Sequence, residues 1–318
     1  MLNSVIKRAV IDGKNSVNSM LFTYRNRNFL RNVWKLINES LGEEYQPISN
    51  IRITSTNVLF IKGRHSLKNT QIICKIPLDE EAVERARMSF CNIQSLATGV
   101  EIGSNLIPFP LKVINSQYGN IYIETMFVGK DGYEAVRSSQ ISENHAINQG
   151  INVIKDIQDR FPRYSVVFCE EIIDEFIEEV KQNFSRNGIK DFQHEKVRKL
   201  LEKGRNKEIT FGFSHGDYWL GNIIFNQNKL IGIIDWDRFR LDRPIVYDRM
   251  HLEIYYHAMK KGWSLGDEII TRYTQNPSDD LIIYWCYFLK NSMNSNPLIT
   301  KNKRWLEKNY FKVIQKLA

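Results

Sequence analysis

Apolar positions along this chain change their period twice. Through VWKLINESLG, residues 33–42, they recur at helical spacing, and Gly42 stands where such a helix would end. From about residue 50 the texture becomes β-rich. NVLFIKG and TQIICKIPL predict two strands around the polar tip GRHSLKN. A helix is expected next, in EEAVERARMSFCNIQSLA, where Val83, Met88, Ile93 and Leu96 lie at roughly helical intervals. Pro108 and Pro110 then precede a strand LKVIN, a turn at Tyr118-Gly119-Asn120 and a strand IYIETMFV. The pattern predicts a small sheet with one helix, ending near residue 128.

After Gly129 long helical patterns dominate: HAINQGINVIKDIQDRF, CEEIIDEFIEEVKQNF and HEKVRKLLEKG. The second carries its acids early and Lys181 late, as the helix dipole favours. Residues 211–237 interrupt this texture, and helical patterns resume with EIYYHAM, DEIITRY, LIIYWCYFL and the tail. The expectation is an α+β chain of two lobes. Residues 1–45 form an N-terminal helical extension, 46–128 a small β-rich lobe, and 129–318 a larger helical lobe.

Composition adds limits. The chain has 318 residues, a net charge of +8, 42% hydrophobic and 25% charged residues, ordinary values for a globular protein. The longest apolar run, LIIYWCYFL, falls far short of the roughly 20 residues of a membrane span. MLNSVIKRAVIDGKNS has no secretory pattern, so a cytoplasmic location is expected. Cys74, Cys91, Cys169 and Cys286 form no CxxC pair, which argues for free thiols rather than zinc or disulfides. The pI of about 9.1 invites a nucleic-acid partner. Basic residues are spread along the chain, however, and the charge equally suits a protein that holds phosphates.

The candidate chemistry lies in HGDYWLGN, His215 to Asn222, and in IIDWD, which ends at Asp237. NIIF and KLIGIIDW read as two strands around a polar, Asn-rich connection. With Gln227-Asn228 as the turn, Asn222 faces Ile233 and Leu220 faces Asp235. Asn222 and Asp235 would then emerge together, with Asp217 on the loop just before them. One carboxylate and one amide oxygen suit Mg²⁺ completed by phosphate oxygens. The remaining carboxylate suits acceptance of a proton from an attacking hydroxyl. That division of labour is phosphoryl transfer, and the kinase template has the same Asp-to-Asn spacing. The template also asks for an upstream strand lysine; IICK, ending at Lys75, supplies one.

HGDYWLGNIIF followed by IGIIDWDRF resembles the aminoglycoside phosphotransferase and choline kinase family, whose fold is protein-kinase-like. YIETMFVGKDG resembles that family's lobe-connecting hinge, and RPIVYDR the segment after its metal-binding strand. The resemblance covers roughly residues 50–290. It implies a phosphotransferase that uses ATP or GTP and Mg²⁺. Asp217 would be the catalytic base or hydroxyl-orienting acid, and Asn222 and Asp235 the metal ligands. Lys75 would hold nucleotide phosphates. Backbone groups from Glu124 to Phe127, Met126 among them, would meet the nucleobase. His215 would support the loop. No glycine-rich loop is visible; its place is taken by Ser55, Thr56 and Asn57, whose hydroxyls and backbone N–H groups would serve the phosphates. The acid partner of Lys75 is unassigned, with Glu84 the weak candidate.

Duller readings stand beside these. Asp248 is expected to brace the loop, and Trp219 and Trp236 to pack it. The aromatic residues of the last third suit helix packing, or a cage for choline, or a sugar platform. Basic residues outnumber acidic ones after residue 240, which argues against a polycationic aminoglycoside. A sugar or amino alcohol is the preferred acceptor, ahead of a peptide Ser or Thr. A metal-dependent phosphoesterase and a degenerate nucleotide-binding scaffold are the rival functions.

Overall fold

The computed structural model describes residues 27–54, 57–99, 105–186, 188–189, 192–295 and 302–318. The chain forms two compact units. One comprises the chain to Lys130 together with Ile224–Asp237; the other comprises Asp131–Ile223 and Arg238–Ala318.

The first unit begins, within the described residues, with helix α1 (Arg27–Leu41). Its apolar stripe Leu30, Val33, Trp34 and Ile37 is buried in one core with Leu59, Ile72 and Ile123. Gly42 ends the helix in a left-handed conformation, φ +65°, its N–H on the Asn38 carbonyl at 2.9 Å. Strands β1 (Tyr45–Ile53), β2 (Val58–His65), β3 (Gln71–Pro77), β4 (Pro110–Ser116) and β5 (Gly119–Thr125) form one antiparallel sheet ordered β1-β2-β3-β5-β4. β3 is central and buried along its length. Pro47 and Pro110 sit on the two edge strands, where a missing N–H costs least. Helix α2 (Glu80–Gly99) turns Ala82, Ala86, Phe90, Ile93 and Leu96 inward. Val83 and Met88 are only half-buried, so the inward stripe is rotated from the one expected and uses alanines.

The second unit starts at the junction strand β6 (Lys130–Asp131) and helices α3 (Gly132–Arg137), α4 (Glu143–Gln158), α5 (Glu170–Arg186) and α6 (His194–Leu201). Strands β7 (Tyr164–Val167), β8 (Glu208–Ser214) and β11 (Arg240–Pro244) make a small sheet ordered β11-β8-β7. The helical texture did not announce it. Between β8 and β11 in sequence comes the hairpin of β9 (Ile223–Asn226) and β10 (Lys229–Ile233), which from Ile224 onward belongs to the first unit. Its turn is Gln227-Asn228 as expected, with Gln227 taking the positive φ, 53°. The expected strand extension through Asn222 is not present. Leu220–Asn222 is a 3₁₀ turn and β9 begins one residue later.

Helices α7 (Val246–Lys261), α8 (Leu265–Gln275) and α9 (Asp279–Ser295) complete the unit with α10 (Lys303–Leu306), a π turn (Glu307–Phe311) and α11 (Lys312–Leu317). Phe176, Phe184, Tyr284, Trp285, Tyr310 and Ile314 share its core. Much of the aromatic run in α9 is thus packing. Among the described residues no helix is long and apolar enough to cross a membrane.

Candidate active site

The loop after β8 is held from below by one carboxylate. Asp248, in the first turn of α7 and fully buried, accepts from the Ser214 hydroxyl at 3.0 Å, the His215 N–H at 2.7 Å and the Gly216 N–H at 2.9 Å. Asn291 donates to the Gly216 carbonyl at 2.9 Å. Gly216 has φ +84°, and a Cβ there would collide with the Arg238 carbonyl and the Arg243 guanidinium, so no side chain fits. Buried His215 accepts the Asp217 N–H on Nδ1 at 3.3 Å, the supporting role expected of it.

Asp217 follows on this fixed loop. Asn222 donates from Nδ2 to the Asp217 carbonyl at 2.9 Å and to its Oδ2 at 3.3 Å. The expected base and the expected amide are therefore together, with the amide nitrogen facing the carboxylate. Arg238 donates to Asp217 Oδ1 at 3.4 Å. Burial alone would raise the Asp217 pKa. His251, Arg238 and His215 outweigh it and hold the acid at about 2.

His251 is the residue that sequence reasoning missed. It lies on α7, 4% exposed, with Nε2 3.6 Å from Asp217 Oδ1 and Nδ1 2.9 Å from the Tyr284 hydroxyl. Its ring stacks on Tyr247 at 5.5 Å. A signal existed. His251 stands three residues beyond Asp248, so one helix face carries both the loop brace and the neighbour of the acid.

In the other unit, Lys75 on β3 is 8% exposed and sits 2.8 Å from Glu124 on β5. The register sets Lys75 opposite Tyr122 and Ile73 opposite Glu124, which makes the pair a diagonal cross-strand contact. Ser89 Oγ of α2 is 3.5 Å from the ammonium. The partner of Lys75 thus comes from a neighbouring strand. Glu84, the candidate on the helix, pairs with Arg87 at the surface instead. Burial pulls the Lys75 pKa down, but Glu124 and then Asp235 pull harder, and the net shift is upward.

Asp235 follows β10 with φ 69°, a left-handed backbone that a carboxylate residue adopts at some cost. Trp236 next to it is fully buried, with Nε1 on the Ile233 carbonyl at 2.9 Å. Asn92 donates to the Trp236 carbonyl at 2.7 Å, so this tryptophan packs and anchors.

The expected nucleotide contacts fare unevenly. Ser55 and Thr56 lie outside the described residues. Asn57 has φ 56° and its amide is committed to Asp79 at 2.7 Å. Glu124 spends its side chain on Lys75. The Met126 N–H already donates to the Gln71 carbonyl at 2.8 Å, so it offers a base only its carbonyl.

Residues 173–252 match the model of the phosphotransferase enzyme family, a span that includes β8, the braced loop and the start of α7. In solved structures the same fold recurs. A thermostable mutant of aminoglycoside phosphotransferase APH(4)-Ia, in ternary complex with ADP and hygromycin B, superposes with TM-score 0.60 at 10% identity. The match covers 90% of this chain and 99% of that one. Macrolide 2'-phosphotransferase MphH from Brachybacterium faecium, as apoenzyme, gives TM-score 0.51 at 10% identity, over 90% and 97% of the two chains. At 10% identity these structures share the fold with this chain, and the family likeness rests on residues 173–252. Among curated proteins none matches it in sequence.

Asp217 lies within the matched segment and forms part of a pocket of about 620 Å³ within the second unit. Trp219, Arg238, His251, Tyr255 and Trp263 line one part of it. Trp219 and Tyr255 bring their rings to 4.9 Å. The C-terminal segment contributes Arg304, Trp305 and Lys308.

Proposed function

We propose that this protein moves the γ-phosphate of ATP or GTP onto a hydroxyl of a small molecule. The observation that carries the reading is the state of Asp217: an ionised carboxylate, oriented by Asn222 and Arg238, on the wall of a pocket of small-molecule size. An acid held at about 2 is a weak base. It suits a loose phosphoryl-transfer transition state, in which orientation of the hydroxyl matters more than early proton removal.

Asn222 and Asp235 are the proposed Mg²⁺ ligands by donor type. Asn222 offers an amide oxygen and Asp235 an exposed carboxylate, both hard ligands. When bound, the ion would neutralise charge on the transferred phosphoryl group. Lys75, held in place by Glu124 at 2.8 Å, is the proposed phosphate-holding cation. The pair gives Lys75 the acid partner whose absence had favoured a degenerate scaffold, and so supports the enzyme reading. The ADP bound by the similar aminoglycoside phosphotransferase supports a nucleotide donor.

The test is a γ-phosphate transfer screen over sugars, amino alcohols, aminoglycosides and nucleosides. Transfer to at least one hydroxyl compound, dependent on Mg²⁺ and Asp217, is expected. Phosphate release from a monoester with no nucleotide present would overturn the assignment in favour of a phosphoesterase.

A further inference from the structure

Charge in the pocket beside Asp217 is uneven. Among the described residues that line it, Asp217 is the one carboxylate, and Arg238 already faces it. Arg304 and Lys308 add two further cations. The nearby acids are spent elsewhere: Glu143 on Lys260, Glu268 on Lys261 and Arg272, Asp267 on Lys312. Among the described residues neither Arg304 nor Lys308 has an acidic partner. Four positions separate them, so they share a face of the C-terminal segment. Lys308 falls within the π turn, a kind of insertion often found at functional sites.

The aromatic wall does not read as a cage for a cation. Trp263 already carries the Lys261 ammonium 4.4 Å from its ring centroid. A quaternary amine or an aminoglycoside would meet like charge from Arg304 and Lys308. The Trp219–Tyr255 pair remains as a surface for a ring.

We infer that the acceptor is an anion: a small hydroxylated ring compound that also bears a carboxylate or a phosphate, received by Arg304 and Lys308. This rests on the phosphotransferase reading of Asp217. Its ring lies against Trp219 and Tyr255, and its hydroxyl is presented to Asp217.

The test is calorimetric titration with phenyl β-D-glucuronide, phenyl β-D-glucoside and phenyl β-D-glucosaminide. These share a ring and hydroxyls and differ in charge. Glucose 6-phosphate against glucose forms a second arm, which separates phosphate from carboxylate. An acid or phosphate is expected to bind about tenfold or more tightly than its neutral and amine-bearing partners, with the preference falling in salt. Arg304→Gln and Lys308→Gln should each erase several-fold of that preference; exposed Arg304 and half-buried Lys308 leave the fold intact when replaced. Tighter binding of the amine, equal or unmeasurable binding in both arms, or no effect of both substitutions overturns the inference. Turnover is scored separately. Efficient phosphorylation of choline or an aminoglycoside in preference to the acids would sink the anion and keep the phosphotransferase. Anion binding with no transfer to any hydroxyl compound across the acceptor screen would do the reverse.

Discussion

His251 places Nε2 3.6 Å from the Asp217 carboxylate while Nδ1 meets the Tyr284 hydroxyl at 2.9 Å. The distance to Asp217 is long for a hydrogen bond, so the ring acts on the acid chiefly through its position and shape. His251 is in this reading a positioning residue. His251→Phe should lower kcat by about tenfold or more and leave the KM for nucleotide unchanged. His251→Gln should restore part of the loss. A change confined to nucleotide KM would contradict this role.

Asp217 and Asp235 are expected to separate cleanly by kinetics. Asp217→Ala should cut turnover by about 10³-fold, within the range for a lost proton acceptor, while Mg-nucleotide binding persists. Asp235→Ala should weaken Mg-nucleotide binding itself, read by calorimetry with and without Mg²⁺. Full activity in both variants would refute the assignments.

Lys75 and Glu124 form a buried pair, their side chains 10% and 5% exposed. Lys75→Met strands a buried carboxylate and should cost about 3–5 kcal/mol of stability. The double variant Lys75→Met with Glu124→Leu should regain most of that stability and none of the activity. Thermal melts and turnover measured side by side check it, since a purely structural pair would recover both.

Asp248 holds three donors of the loop that carries Asp217. Asp248→Ala leaves those donors buried and unmet, at a cost of about 3 kcal/mol. Denaturant unfolding should register the loss. Turnover should fall with it even at temperatures where the variant remains folded.

Glu268 supplies a pH dependence that does not involve Asp217. It is 3% exposed and pairs with Lys261 at 2.9 Å and Arg272 at 3.0 Å. Burial raises its pKa, but the two cations outweigh it, and the carboxyl titrates below its ordinary value of 4.5. A lowered folded pKa means the unfolded chain binds the proton first. Its contribution is thus fully present above about pH 4.5 and lost as pH falls below that toward the lowered value. Glu268→Gln should flatten the acid limb of the stability profile and destabilise the protein at pH 7. An unchanged profile would contradict the pairing.

Much of this was legible along the chain. The β-rich run around Lys75 and the helical period after residue 129 reflect which side chains must leave water, but the grouping of Ile224–Asp237 with the first unit was not foreseen. The spacing of Asp217, Asn222 and Asp235 marked the chemistry because metal and phosphate demand those donors. The sheet of β7, β8 and β11 was less visible, since its strands are short and lie among long helices.

Sequence alone supplied the proposed site: the acid, the amide, the second acid and the lysine are named by residue type and local spacing. Only tertiary structure decided their partners. Glu124 reaches Lys75 because two strands far apart in sequence are neighbours in one sheet. His251 and Arg238 reach Asp217 because α7 and the turn after β10 return to the same loop. Lone cations at Arg304 and Lys308 emerge only once the nearby acids are seen to be taken. Charge pairing acts over a few ångströms of space, and distance along a chain does not encode it.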